Sequence, residues 1–187
     1  MYKCIDNDFP CRDISYKDFD DIANKELNDA LTCDEIVNNS EYCINIPVNE
    51  SHFVADINDK LFLKVMNGKS GLYQLWVDYD DCDDHYSYTM LCVYVGKGPA
   101  DLRISSHIKN KWTKDVELYA TFSPMENRLA KYYEQLFLDK YDFLLNVAEN
   151  RGSDKLYASW SDERHNLGTH PNDISSYSSI NSLDDIG

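Results

Sequence analysis

Phosphodiester hydrolysis needs a group that prepares water, a cation that neutralises developing charge, and a grip on the phosphate. The 187-residue chain offers such a set between residues 71 and 146. Tyr73 and Tyr94 lie on two apolar, β-prone runs. Arg103 and His107 are four apart, so a helix would carry them on one face. Glu134 falls on the shoulder of an amphipathic helix, where a carboxylate can meet a hard cation through oxygen. Lys97 stands between the second run and the Arg–His helix, and Asn146 follows the Glu helix. The bland rivals are plain: one tyrosine among 14 says little, and a lone Arg, His, Lys or Glu on a helix is usually solvated charge. Tyr73 also has an ordinary pKa near 10 and needs a neighbour's help to act as a base.

The elements that must position these residues can be read from periodicity. Gly71–Tyr79 is a strand rich in aromatic and β-prone residues. An acidic loop, Asp80–His85, separates it from Tyr88–Val95, a near-continuous apolar run that predicts a strand interior to a sheet. The two form a hairpin. Leu102–Trp112 reads as a helix and Val116–Phe122 as a third strand. Ser123-Pro124-Met125-Glu126 predicts a capping box, with Ser123 as N-cap, Pro124 at the first helical position and Glu126 at the third. The helix it opens runs to about Tyr141, with Leu129, Tyr133, Leu136 and Phe137 on one face. Upstream, Tyr16–Leu31 has helical spacing. The expected organisation is α+β, a small central antiparallel sheet flanked by helices with an N-terminal extension. Its parts are an acidic, partly helical region over 1–70, a catalytic domain over 71–152, a polar extension over 153–174 and a flexible tail over 175–187. Trp160–His165 reads as a solvated loop.

Taken in order, these residues resemble the GIY-YIG nuclease family. Gly71-Leu72-Tyr73 and Tyr94-Val95-Gly96 resemble its paired signature, with apolar replacements for both isoleucines. Tyr-Val-Gly-Lys-Gly at 94–98 resembles a frequent variant of the second half. Arg103 and His107 match the family's Arg-x-x-x-His helix, Glu134 its metal-binding Glu and Asn146 its closing Asn. The resemblance spans Gly71 to Asn146 and leaves residues 1–70 and those beyond about 152 uncovered. It implies a divalent-metal-dependent endonuclease, with DNA favoured over RNA. The implied catalytic residues are Tyr73, Tyr94, Arg103, His107 and Glu134. Glu134 would hold Mg²⁺, with Mn²⁺ as a substitute. Lys97 and Asn146 would serve substrate binding, Asn146 by positioning backbone or ligands; Lys109, Lys111 and Lys114 are expected to join them on the grounds of charge. Gly71 and Gly96 are expected to be structural, permitting close approach.

Charge sits awkwardly with a polyanionic substrate. The formal net charge is −15, whereas nucleic-acid binding draws on Lys and Arg through counterion release. The exception is 97–114, where Lys97, Arg103, Lys109, Lys111 and Lys114 face one acid, Asp101. That segregation predicts a basic, substrate-facing strip on an acidic protein. It also keeps a second reading open, an acidic non-catalytic binding or regulatory protein such as an antitoxin or DNA mimic on a nuclease scaffold. No run approaches a membrane span. Met1-Tyr-Lys-Cys-Ile-Asp turns acidic before an apolar run develops, so no secretory leader is expected. None of the six cysteines forms a Cys-x-x-Cys pair, against a zinc ribbon, and free thiols in a reducing compartment are expected. The expected setting is cytoplasmic, or the cytoplasm of a target cell if the protein is delivered. Its expected partners are DNA and, in a toxin setting, an immunity or regulatory protein, with no membrane.

Overall fold

The structure is a computed structural model that describes residues 30–46, 66–82, 87–112 and 118–161. The chain divides into two units, Met1–Leu31 and Thr32–Gly187, and every element below belongs to the second. In chain order these are α1 (Cys33–Asn38), β1 (Tyr42–Ile46), β2 (Ser70–Cys82), β3 (Ser87–Pro99), α2 (Ala100–Lys111), β4 (Leu118–Pro124), α3 (Asn127–Lys140) and β5 (Tyr157–Ser161). The helix expected before residue 31 falls almost wholly outside the described residues, as do Lys114 and the tail.

One antiparallel sheet runs β1-β4-β2-β3-β5. Its interior strands are covered on both faces, which explains the unbroken burial of Leu72–Val77 and Met90–Val95. On one face Tyr73, Leu75, Val77, Leu91, Leu118, Ala120 and Phe122 pack with Ala100, Ile104 and Trp112 at α2 and its end. On the other, Leu72, Trp76, Met90, Cys92 and Val95 meet Ile36 and Val37 of α1 and Tyr133, Phe137 and Leu138 of α3. Polar side chains in this second layer bond to one another. Trp76 Nε1 donates to Thr121 Oγ1 (2.9 Å), and Thr121 donates to Gln74 Oε1 (2.6 Å).

Three expectations change. The boundary at 70/71 is not where the fold draws it, because β1 pairs with β4 from Tyr42↔Phe122 to Ile46↔Leu118. The polar extension after 152 also yields a strand. β5 pairs with the outer part of β3 from Ser87↔Ser161 to Leu91↔Tyr157, so Trp160 is strand rather than loop. The capping box at Ser123 does not form. β4 continues to Pro124, opposite Gly71, and Met125 N donates to Ser70 O. Pro124 is tolerated there because it ends its strand and owes the ladder no further N–H. Strand pairing therefore outruns the cap, and the helix starts at Asn127 with Glu126 as an N-cap whose side chain makes no capping bond and accepts from Arg128 Nε instead (3.1 Å). The Ser123 hydroxyl lies 3.3 Å from that of Ser40 instead.

Candidate active site

β2 and β3 deliver the two tyrosines to one end of the sheet, and a bulge decides that they share a face. Leu75 pairs with Tyr94 but Trp76 pairs with Cys92, so Val93 has no partner across β2. One extra residue reverses the alternation beyond it. In plain alternation Tyr94 would point with Cys92 toward α3; with the bulge, Tyr94 points with Tyr73 toward α2. The two rings stack with centroids 5.9 Å apart. Gly96 pairs with Tyr73 and makes room for it, since a Cβ there would stand 2.6 Å from the Tyr73 hydroxyl and 2.7 Å from Tyr94 Cε1. At Gly71 a Cβ would strike the Ser123 carbonyl and Phe122. Both glycines thus serve close approach.

The helix α2 begins directly after β3 ends at Pro99, and Gly98 beside it takes a φ of +107° that suits glycine. The Arg103 side chain lies over that glycine, with Nε 3.3 Å from where a Cβ would be. One turn on, His107 Nε2 is 3.1 Å from the Tyr73 hydroxyl, and its ring centroid is 4.3 Å from that of Tyr94. Another turn on, Lys111 Nζ sits 4.8 Å from the Tyr94 ring centroid and donates to Leu145 O at 3.4 Å. Lys111 is thus turned inward onto the site, unlike the exposed Lys109, and does not belong to an outward phosphate-binding strip.

From the far side of the sheet α3 contributes Glu134. Its carboxylate oxygen is 4.0 Å from Lys97 Nζ, with both side chains about four-fifths buried. So Lys97, expected on the phosphate, is held by the carboxylate. Asn146 is likewise committed. Its Oδ1 accepts from Val95 N (3.0 Å) and its Nδ2 donates to Val95 O (2.9 Å). β5 leaves β3 at Leu91, and Asn146 supplies the hydrogen bonds a neighbouring strand would make; Leu145 N does the same for Val93 O (2.9 Å). Of its two expected uses Asn146 therefore serves backbone positioning, which takes one Nδ2–H and one Oδ1 lone pair.

Electrostatics set the proton inventory. Burial pushes the Tyr73 phenol far above its usual range, Tyr94 adds to this, and Arg103 pulls it down. Burial raises Tyr94 as well. Burial, then Lys111 and Arg103, drive His107 down to about 4. At neutral pH the imidazole is therefore uncharged, and Nε2 can accept the Tyr73 O–H; that tautomer is assigned from the bonding network. Burial raises Glu134 against the pull of Lys97 and Arg103, while Glu149 raises it further. Glu149 is a site neighbour that the sequence did not single out. It holds φ +60° just past the Asn146 clamp, and no local sequence signal marks it. The two cysteines with described side chains, Cys33 and Cys92, are buried free thiols, and burial lifts Cys33 to about 11.

Among the described residues no three His, Cys, Asp or Glu side chains gather as a chelating group. A site built on one carboxylate lies below that count. Glu134 suits a hard cation on two grounds: it is an oxygen donor, and its nearby positive charges leave it short of full compensation. No described helix is long and apolar enough to cross a membrane. No family model, curated protein or solved structure matches the chain.

Proposed function

We propose that this site hydrolyses phosphodiester bonds in nucleic acid, DNA before RNA, as a GIY-YIG-type endonuclease in a restriction-like or toxin-like setting. One observation carries the reading. Tyr73 from β2, Tyr94 from β3, Arg103 and His107 from α2 and Glu134 from α3 act on one another at one end of the sheet. A phenol raised by burial is a poor base alone. Neutral His107 relieves this by accepting the Tyr73 proton as Tyr73 takes one from the attacking water. Arg103, exposed beside them, grips the phosphate with its planar fork. Glu134 would hold Mg²⁺, or Mn²⁺ in its place, and a cation there supplies positive charge to the leaving oxygen.

Supercoiled plasmid incubated with the purified protein and Mg²⁺ or Mn²⁺ tests this. Nicking or linearisation is expected, reduced at least about 100-fold in Glu134→Ala and Arg103→Ala. Intact plasmid and intact single strands with both metals would sink the reading. The formal charge of −15 favours a second one, an acidic partner-binding protein on this scaffold. That protein would gain no Mn²⁺-dependent rise in Tm, whereas metal held by Glu134 stabilises the folded state by mass action.

A further inference from the structure

Lys97 leaves β3 in register with Leu72, one residue past Gly96. Paired residues share a face, and Leu72 belongs to the layer packed on α3. The lysine is therefore directed away from the tyrosines and toward Glu134, where its Nζ lies 4.0 Å from Oε2. The Lys97 backbone N–H also serves that carboxylate. A divalent cation approaching Glu134 would meet an ammonium already in contact range, in a setting about four-fifths shielded from water. Two cations cannot both neutralise one carboxylate without strong mutual repulsion, and partial burial weakens the solvent screening that would soften it.

We infer that Lys97 is a place-holder for the metal: its ammonium occupies Glu134 in the metal-free protein and must leave before a divalent cation binds. The inference rests on the proposed role of Glu134 as the metal ligand. Two features make the exchange feasible. The pair is a single contact at 4.0 Å, without the two parallel hydrogen bonds that make a bidentate fork strong. A lysine also carries its charge on a flexible four-carbon stem, unlike the rigid guanidinium of arginine. Once displaced, the ammonium is free to turn to an incoming phosphate, so metal and nucleic acid become linked through one side chain. Lys97 is thus a positioning residue that opposes metal binding, contrary in sign to a lysine that only holds substrate.

Titration of the full chain with Mn²⁺ alone, read by the EPR signal of free Mn²⁺, separates the possibilities. It is run at about pH 8 so that protons do not compete for carboxylates. Lys97→Met keeps the length of the stem and removes the charge. It should bind Mn²⁺ on the order of fivefold more tightly than the wild type, while Glu134→Ala should lose that binding. Circular dichroism confirms folding, and Lys97→Gln replaces the Met variant if that one does not fold. Equal or weaker Mn²⁺ affinity in the folded Lys97 variant, or no binding in either protein, overturns the place-holder. If Glu134→Ala binds Mn²⁺ as the wild type does, Glu134 is not the ligand, and the metal-site reading beneath the inference falls with it.

Discussion

At the scale of single residues, side chains that belong to one sequence pattern take different jobs according to where their polar atoms end. Asn146 and Arg103 both belong to the sequence pattern, yet Asn146 spends its amide on Val95 while Arg103 remains exposed. Asn146→Ala should therefore behave as a structural lesion. It strips the partners from a donor and an acceptor on buried Val95, at a cost of about 1–3 kcal/mol. Chemical denaturation should show that loss as a lower midpoint with unchanged m-value. Asn146→Asp keeps an acceptor for Val95 N but loses the donor to Val95 O and sets a carboxylate oxygen against that carbonyl, so it should also lower the midpoint. A wild-type midpoint in both variants would mean that the clamp is dispensable. Types and order were legible in the sequence here, but the destination of each polar atom was not. That Lys97 reaches Glu134 depends on which face the strand presents, a tertiary property absent from local spacing, whereas Lys111, four residues after His107, shares the Arg103–His107 face of the helix by spacing alone.

Among the elements, the bulge at Val93 does most to assemble the site. Deleting Val93 removes only the unpaired residue, so Tyr94 follows Cys92 directly, stays opposite Leu75 and keeps facing α2 in plain alternation. The Tyr94 contacts with Tyr73, His107 and Lys111 should survive, while the core loses the buried Val93 side chain. The deletion variant should keep plasmid cleavage within about tenfold of the wild type and unfold several degrees lower, in line with a core lesion of a few kcal/mol. Loss of cleavage by more than about 100-fold in the folded variant would show that the bulge does more than set the face of Tyr94. The bulge could not be read in advance, because Met90–Val95 is uniformly apolar and gives no phase to break. β2, β3, β4, α2 and α3 were legible to within a few residues from apolar runs and helical spacing. α1 was missed despite a readable signal, since Thr32 and Glu35 form a reciprocal capping box ahead of Ile36 and Val37. β5 was missed for a physical reason: it is a five-residue strand in a polar stretch, and β3 rather than its own sequence fixes it.

For the whole molecule, the proposed function raises the question of how a protein of charge −15 would receive a polyanion. Two lysines of α2 differ in placement. Lys109 is exposed, so under that function it would contribute to steering and counterion release. Lys109→Ala should flatten the salt dependence of DNA binding by about one unit of log–log slope. Lys111 is turned inward over Tyr94 and is one of the causes that hold His107 down at about 4. Lys111→Ala should leave the salt slope nearly unchanged and move the His107 titration upward. The sign follows from the proposed base role of His107. With the neutral imidazole as proton acceptor, activity should fall as pH drops through the His107 pKa, and a higher pKa should shift that acid limb to higher pH. Stability moves with it. A depressed folded-state pKa gives stability that is present above the unfolded value near 6.5 and lost as pH falls toward 4. Lys111→Ala should shrink that loss. The two profiles, salt slope and acid limb, are measured on the same pair of variants. If Lys111→Ala flattens the salt slope while its acid limb stays fixed, Lys111 is a phosphate contact after all, and the inward geometry does not govern the protonation of His107.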